Sequence, residues 1–167
     1  MNVGIMFGCF IPLHKGHLKL IEKAIQENDK VIIGVCGYDD DRGQKFIPFK
    51  TRYKLMKRKY ANNPNIKVVK IDDKKLGLTG TFSLEAWRIW CDELFGNAKI
   101  SPSNNCKWYT GDPPYAEKLK ELYPKHEMYL SNRQEDNISG TMIRQDYRKY
   151  KNLIDEDFYE YLEENVK

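Results

Sequence analysis

The sequence predicts an α/β fold, a five-stranded parallel sheet with helices on both faces, and three observations predict it. Five short runs are rich in apolar, β-branched or aromatic residues. Stretches of helical periodicity lie between them, and strands interleaved with helices imply a parallel sheet. Polar and glycine-rich residues gather in the junctions that follow the runs, where such a sheet places its ligands.

The runs are residues 3–7, 31–36, 66–71, 107–110 and 127–130. A first helix is predicted over 15–28, because Leu18, Ile21, Ala24 and Ile25 recur at spacings of three and four and share one face. Further helices fit residues 51–60, 84–95, 115–122, 140–147 and 156–165. No repeat, low-complexity tract or linker rich in Pro, Gly or Ser divides the chain. Residues 1–167 therefore read as one domain, with the last helix included.

Composition removes several classes of function. With 41% hydrophobic and 31% charged residues and no apolar run near the roughly 18 residues that span a bilayer, a membrane protein is excluded. The start, Met1-Asn2-Val3-Gly4-Ile5-Met6-Phe7, has no signal-peptide pattern, so a cytoplasmic location is expected. Cys9, Cys36, Cys91 and Cys106 form no CxxC pair, which suggests reduced packing thiols rather than a zinc site or disulfide framework. Net charge is +4, from 28 basic and 24 acidic residues, enough to attract small anions but short of a nucleic-acid footprint. The charge is polarised, basic over residues 50–59 and acidic over 155–164.

The first junction, Gly8-Cys9-Phe10-Ile11-Pro12-Leu13-His14-Lys15-Gly16-His17, ends a strand and opens an amphipathic helix. Unpaired N–H groups and aligned dipoles at a helix start favour an anion by about 0.3 to 1 kcal/mol. Gly8 and Gly16 allow close backbone approach, and His14 and His17 can turn both imidazoles to one side to donate to phosphate oxygens. Phosphoryl transfer asks mainly for positioning and electrostatic stabilisation, so this apparatus needs no covalent nucleophile. Three histidines in the chain and no flanking carboxylates leave a zinc centre without ligands.

Gly8-x-Phe10-x-Pro12-Leu13-His14-x-Gly16-His17 resembles the signature of the HxGH nucleotidylyltransferases, which implies a Rossmann-like domain. Near the end, Ile138-Ser139-Gly140-Thr141-Met142-Ile143-Arg144 resembles that family's ISSTxxR-like motif, with glycine in place of the second serine. Ser139 suits a helix N-cap, and Arg144 one turn along offers a forked cation. By the resemblance this segment grips the β- and γ-phosphates of ATP, and the glycine variant resembles nicotinamide-nucleotide adenylyltransferases.

Gly37-Tyr38-Asp39-Asp40-Asp41-Arg42-Gly43 follows the second strand, where acceptor contacts are expected; Tyr38, Asp39 and Arg42 are the candidates, against the plainer alternative of a solvated turn. Arg52 resembles a phosphate-contacting arginine of the archaeal type of this enzyme. Trp87 and Trp90, three apart, share a helical face, and an indole attracts a flat pyridinium cation by about 0.5 to 2 kcal/mol, although paired tryptophans are more often core. Over roughly residues 3–154 the pattern resembles the adenylyltransferase domain of the bifunctional bacterial NAD-biosynthesis regulators, which implies Thr110 and Gly111 near adenine and Trp90 stacking nicotinamide. That family's kinase activity is not expected here, since no GxxxxGK[ST] loop is present, nor is DNA repression, since no helix-turn-helix precedes Met1.

The expected reaction is attack of the phosphate of nicotinamide mononucleotide on the α-phosphorus of ATP, giving NAD and pyrophosphate. His14 and His17 stabilise charge, Lys15, Ser139, Thr141 and Arg144 hold the triphosphate, Arg52 steers anions, and Mg2+ is held mainly by ATP phosphates. The alternatives are another acceptor (nicotinic acid mononucleotide, phosphopantetheine or flavin mononucleotide) or a non-catalytic nucleotide sensor. The resemblance also implies homo-oligomers as a common assembly.

Overall fold

A computed structural model describes residues 1–37, 46–73, 83–103, 105–131 and 138–166. The strands are β1 (Val3–Gly8), β2 (Lys30–Cys36), β3 (Ile66–Ile71), β4 (Cys106–Thr110) and β5 (Glu127–Leu130). The helices are α1 (Lys15–Glu27), α2 (Phe49–Lys59), α3 (Leu84–Ala98), α4 (Pro113–Leu122), α5 (Gly140–Gln145) and α6 (Glu156–Asn165), with a short 3-10 turn at Lys151–Leu153 before α6.

All strand pairings are parallel, in the order β3-β2-β1-β4-β5, which is the Rossmann-like arrangement. The sheet reverses direction of growth at β1, whose two neighbours are β2 and β4. Alternation along β2 explains the two layers. Val31, Ile33 and Val35 pack with Ile21 and Ala24 of α1, Leu55 and Met56 of α2, and Phe158 and Leu162 of α6. Ile32 and Cys36 point the other way, onto Trp87, Trp90, Cys91, Leu94 and Phe95 of α3 and Leu119 of α4.

Four helices begin or end two or more residues from the expected positions: α2 starts at Phe49, α3 ends at Ala98, α4 starts at Pro113 and α5 ends at Gln145, and for α4 and α3 the local cause is plain. α4 starts at Pro113 rather than Tyr115 because Asp112 caps it, accepting from Tyr115 N at 3.3 Å, and proline suits the first helical position. α3 runs past Gly96 to Ala98, since Ala98 is fully buried and extends the apolar face; Lys99, at φ 57°, then closes the helix in the left-handed region.

Beyond α5 the chain turns back onto the first junction. Asp155 N donates to Leu13 O at 3.0 Å, and His14 bridges Ile154 in antiparallel fashion. Asp155 is itself buried; it caps α6 through Asp157 N and Phe158 N and takes an ion pair from Lys59 at 2.7 Å. Among the described residues, no helix is long and apolar enough to cross a membrane.

Candidate active site

A cavity of about 530 Å³ opens beyond the carboxyl ends of all five strands. Phe7 and Gly8 of β1, Cys36 of β2 and Thr110 of β4 line it, joined by Asp73 just after β3 and Ser131 just after β5. This is the crevice that a reversal of strand order creates.

The histidine pair occupies one wall. His14 is the N-cap of α1, and its Nδ1 accepts from Gly16 N at 3.1 Å, while His17 Nδ1 accepts from His14 N at 3.3 Å. This reciprocal pattern is a capping box made of imidazoles. A ring nitrogen that accepts a backbone N–H carries no proton, so each neutral imidazole keeps its proton on Nε2. The rings stack at 3.7 Å and 21°, with the edge of Phe10 against His17 at 4.9 Å, so the two imidazoles form a paired unit on the cavity wall. Gly16 permits the cap: a Cβ there would come within 3.0 Å of the His14 ring. Phe10 takes φ 56°, uncommon for a non-glycine residue, and the Ile11-Pro12 bond that follows is cis.

The second motif lies across from this loop and grips it. Ser139 caps α5 by accepting from Met142 N at 3.1 Å. Arg144 donates to Thr141 Oγ1 at 3.2 Å and to Ile11 O at 2.8 Å, so its guanidinium ties α5 to the loop that carries the histidines. The glycine in place of the second serine now has a reason. A Cβ on residue 140 would stand 2.9 Å from Arg144 Nη1 and 3.2 Å from Ile11 O, crowding that tie.

The cavity thus brings together Gly8, Phe10, His14, Gly16, His17, Thr110, Gly111, Ser139, Gly140, Thr141 and Arg144, with Trp87 and Trp90. Lys15 is exposed on α1 and is not part of the lining. Arg52 is not part of it either. That side chain is fully buried, and its guanidinium donates to Ile47 O at 2.9 Å, Cys9 O at 2.7 Å and Cys36 O at 2.8 Å. The expected phosphate contact is replaced by a clasp on three main-chain carbonyls behind the cavity. Tyr38, Asp39 and Arg42 lie outside the described residues.

Trp87 and Trp90 are 3% and 4% exposed, so they serve the core and the cavity wall together. Phe7 meets Trp90 edge-on at 4.7 Å and stacks on Tyr115 at 5.9 Å, completing an aromatic wall opposite the polar one. Sequence reasoning missed Phe7, Cys9, Cys36, Asp73, Tyr115 and Ser131 as lining residues, although the strand-end rule pointed to their neighbourhoods. Asp73, 3% exposed, sets a carboxylate near Cys36. A hydrogen bond with Cys9, burial, and the charge of Asp73 push the Cys36 thiol well above its ordinary range, against the opposing pull of Arg52. No group of three or more His, Cys, Asp or Glu side chains suited to a metal ion occurs among the described residues.

Residues 5–146 match the model of a family described as cytidylyltransferase-like. The chain is 30% identical to the trifunctional NAD biosynthesis/regulator protein NadR of Salmonella typhimurium, over 92% of its own length and 38% of that protein's. It is 35% identical over 68 residues to the phosphopantetheine adenylyltransferase of Clostridium tetani, covering 41% of each. A crystal structure of NadR protein in complex with NAD and AMP-PNP superposes with a TM-score of 0.74 at 30% identity, over 92% of this chain and 44% of that one. The chain therefore spans less than half the length of these relatives.

Proposed function

Since the chain belongs to the cytidylyltransferase-like family, as a nucleotidyltransferase of the HxGH superfamily, we propose that it transfers the adenylyl group of ATP to nicotinamide mononucleotide, giving NAD and pyrophosphate. One observation carries the reading: a single cavity joins the stacked His14–His17 pair, the Ser139–Arg144 segment and an aromatic wall.

The acceptor's phosphate oxygen attacks the α-phosphorus in line, and the bond to pyrophosphate breaks. His14 and His17 donate from Nε2 to the α-phosphate oxygens, where charge accumulates, and the fixed rings need no reorganisation as it does so. Ser139, Thr141 and Arg144 hold the departing phosphates, while Thr110 and Gly111 at the end of β4 take the adenine side. Phe7, Trp87, Trp90 and Tyr115 face the pyridinium ring, whose positive charge an aromatic wall favours. Mg2+ would be held mainly by the phosphates of ATP and would neutralise the leaving pyrophosphate. Arg52 acts from behind, by fixing the carbonyls of Cys9 and Cys36.

A second reading, adenylyl transfer to phosphopantetheine, draws on the likeness to the Clostridium tetani enzyme. Incubating the protein with Mg2+, ATP and an equimolar mixture of nicotinamide mononucleotide, nicotinic acid mononucleotide and phosphopantetheine, with products identified by mass, separates the two. NAD as the main product supports the proposal. Dephospho-coenzyme A as the main product selects the second reading, and pyrophosphate-free silence with every acceptor rejects adenylyl transfer to all three.

A further inference from the structure

β1 and β2 are parallel neighbours in register to the end of β1, where Gly8 stands opposite Val35. The next residues, Cys9 and Cys36, therefore stand side by side as the strands end. The same Arg52 nitrogen, Nη1, donates to Cys9 O at 2.7 Å and to Cys36 O at 2.8 Å, which pins the two backbones together. Cys36 lies in the core beneath α3, Cys9 packs against that cluster from the same side, and both line the cavity. Neither cysteine is in a disulfide, and neighbouring strands about 4.8 Å apart fall within the roughly 4.4 to 6.8 Å Cα separation that a disulfide spans.

We propose that Cys9 and Cys36 form a redox-sensitive dithiol in the cavity wall, converted into an intramolecular disulfide by a small disulfide such as oxidised glutathione. The cavity gives access, and Cys9, half-buried where Cys36 is 7% exposed, reacts first. The Cys9 thiolate attacks one glutathione sulfur, forming a mixed disulfide and releasing one glutathione, which takes up a proton. The Cys36 thiolate then attacks the Cys9 sulfur and expels the second glutathione. Two thiols are oxidised, one disulfide is reduced, and two molecules of reduced glutathione leave. Because the Cys36 thiol is held above its ordinary range, the second step is slow at neutral pH and accelerates as pH rises.

The new bond, about 2.05 Å long, requires the two side chains to turn toward each other and changes the cavity wall where both lie. The change adjoins Phe10, at positive φ, and the loop that leads to His14. Loss of transfer activity rests on the proposed reaction, whereas formation of the disulfide does not.

The test exposes the purified protein to oxidised glutathione, traps residual thiols by alkylation, and maps the peptides by mass. A cross-linked Cys9–Cys36 peptide pair, lighter by two hydrogen atoms, is the expected main product. Transfer should fall by at least about tenfold, within the range of an ångström-scale misplacement, and recover on reduction with dithiothreitol. Cys36→Ser should stop at the glutathione adduct on Cys9, and Cys9→Ser should leave residue 36 unmodified. A stable Cys9 adduct in the unaltered chain, or no reaction at Cys9, overturns the dithiol. A complete cross-link with unchanged transfer overturns its control of the site. If no acceptor supports transfer at all, peptide mapping still decides whether the disulfide forms.

Discussion

Two arginines, each near a helix start, have the same sequence appearance and different situations. Arg144, on α5, lines the cavity and reaches back to Ile11 O and Thr141 Oγ1. Arg52, on α2, has no exposure and spends its donors on Ile47, Cys9 and Cys36 carbonyls. A guanidinium offers five donors in a fixed fork, and that fork fits phosphate oxygens or converging carbonyls equally well. Placement decides between them. Arg144 stands where a ligand can replace solvent, whereas Arg52 sits where strand ends leave carbonyls that need buried partners.

Arg52→Ala should produce the largest change, since three main-chain acceptors lose a charged donor in a dry site. A stability loss of at least about 3 kcal/mol in urea unfolding is expected. A loss under about 1 kcal/mol, accompanied by a raised KM for the acceptor, would restore Arg52 as a ligand contact.

Arg144→Ala should show the opposite balance. Transfer is expected to fall about a hundredfold, the scale of one key electrostatic donor, while the unfolding free energy in urea falls by no more than about 1 kcal/mol. Steady-state rates and unfolding curves on the same preparation check both halves.

Gly140→Ala sharpens the geometry of that tie. A Cβ 2.9 Å from Arg144 Nη1 should displace the guanidinium and slow transfer by about tenfold, less than outright removal. An unchanged rate would mean that the contact with Ile11 O is incidental.

The smallest effect belongs to the cap beneath Arg144. Ser139→Ala removes the acceptor for Met142 N and should lower stability by about 1 kcal/mol, whereas Ser139→Asp should retain most of it. Equal losses in both variants would argue against capping as the role of that hydroxyl.

The same contrast marks how much was legible in the sequence. β3, β5 and α6 fall on the expected residues, and the other strands differ by a single terminal residue, because short apolar runs and helical spacing are local signals. The two motifs were legible for the same reason, being fixed offsets at a strand-helix junction and at a helix start. Burial of Arg52 is a tertiary property. Its spacing from Phe49, Leu55 and Met56 puts it on the buried face of α2, away from the exposed Lys50, Lys54 and Lys57, but the Cys9, Cys36 and Ile47 carbonyls that it meets there are brought to it by the fold. Cys9 and Cys36 read as separate packing thiols because only strand register sets them side by side. Asp155 likewise read as part of an acidic surface, yet it is buried beneath Lys59 and joined to Leu13.

The central claim is that the paired imidazoles perform the transfer. Single-turnover pyrophosphate release, with the protein in excess of ATP and with Mg2+ and nicotinamide mononucleotide saturating, is the decisive comparison between the unaltered chain and His17→Ala. A fall of at least about a hundredfold is predicted for loss of one Nε2 donor at the α-phosphate. A rate within a few-fold of the unaltered chain would contradict the account and leave the histidine pair as no more than the cap of α1.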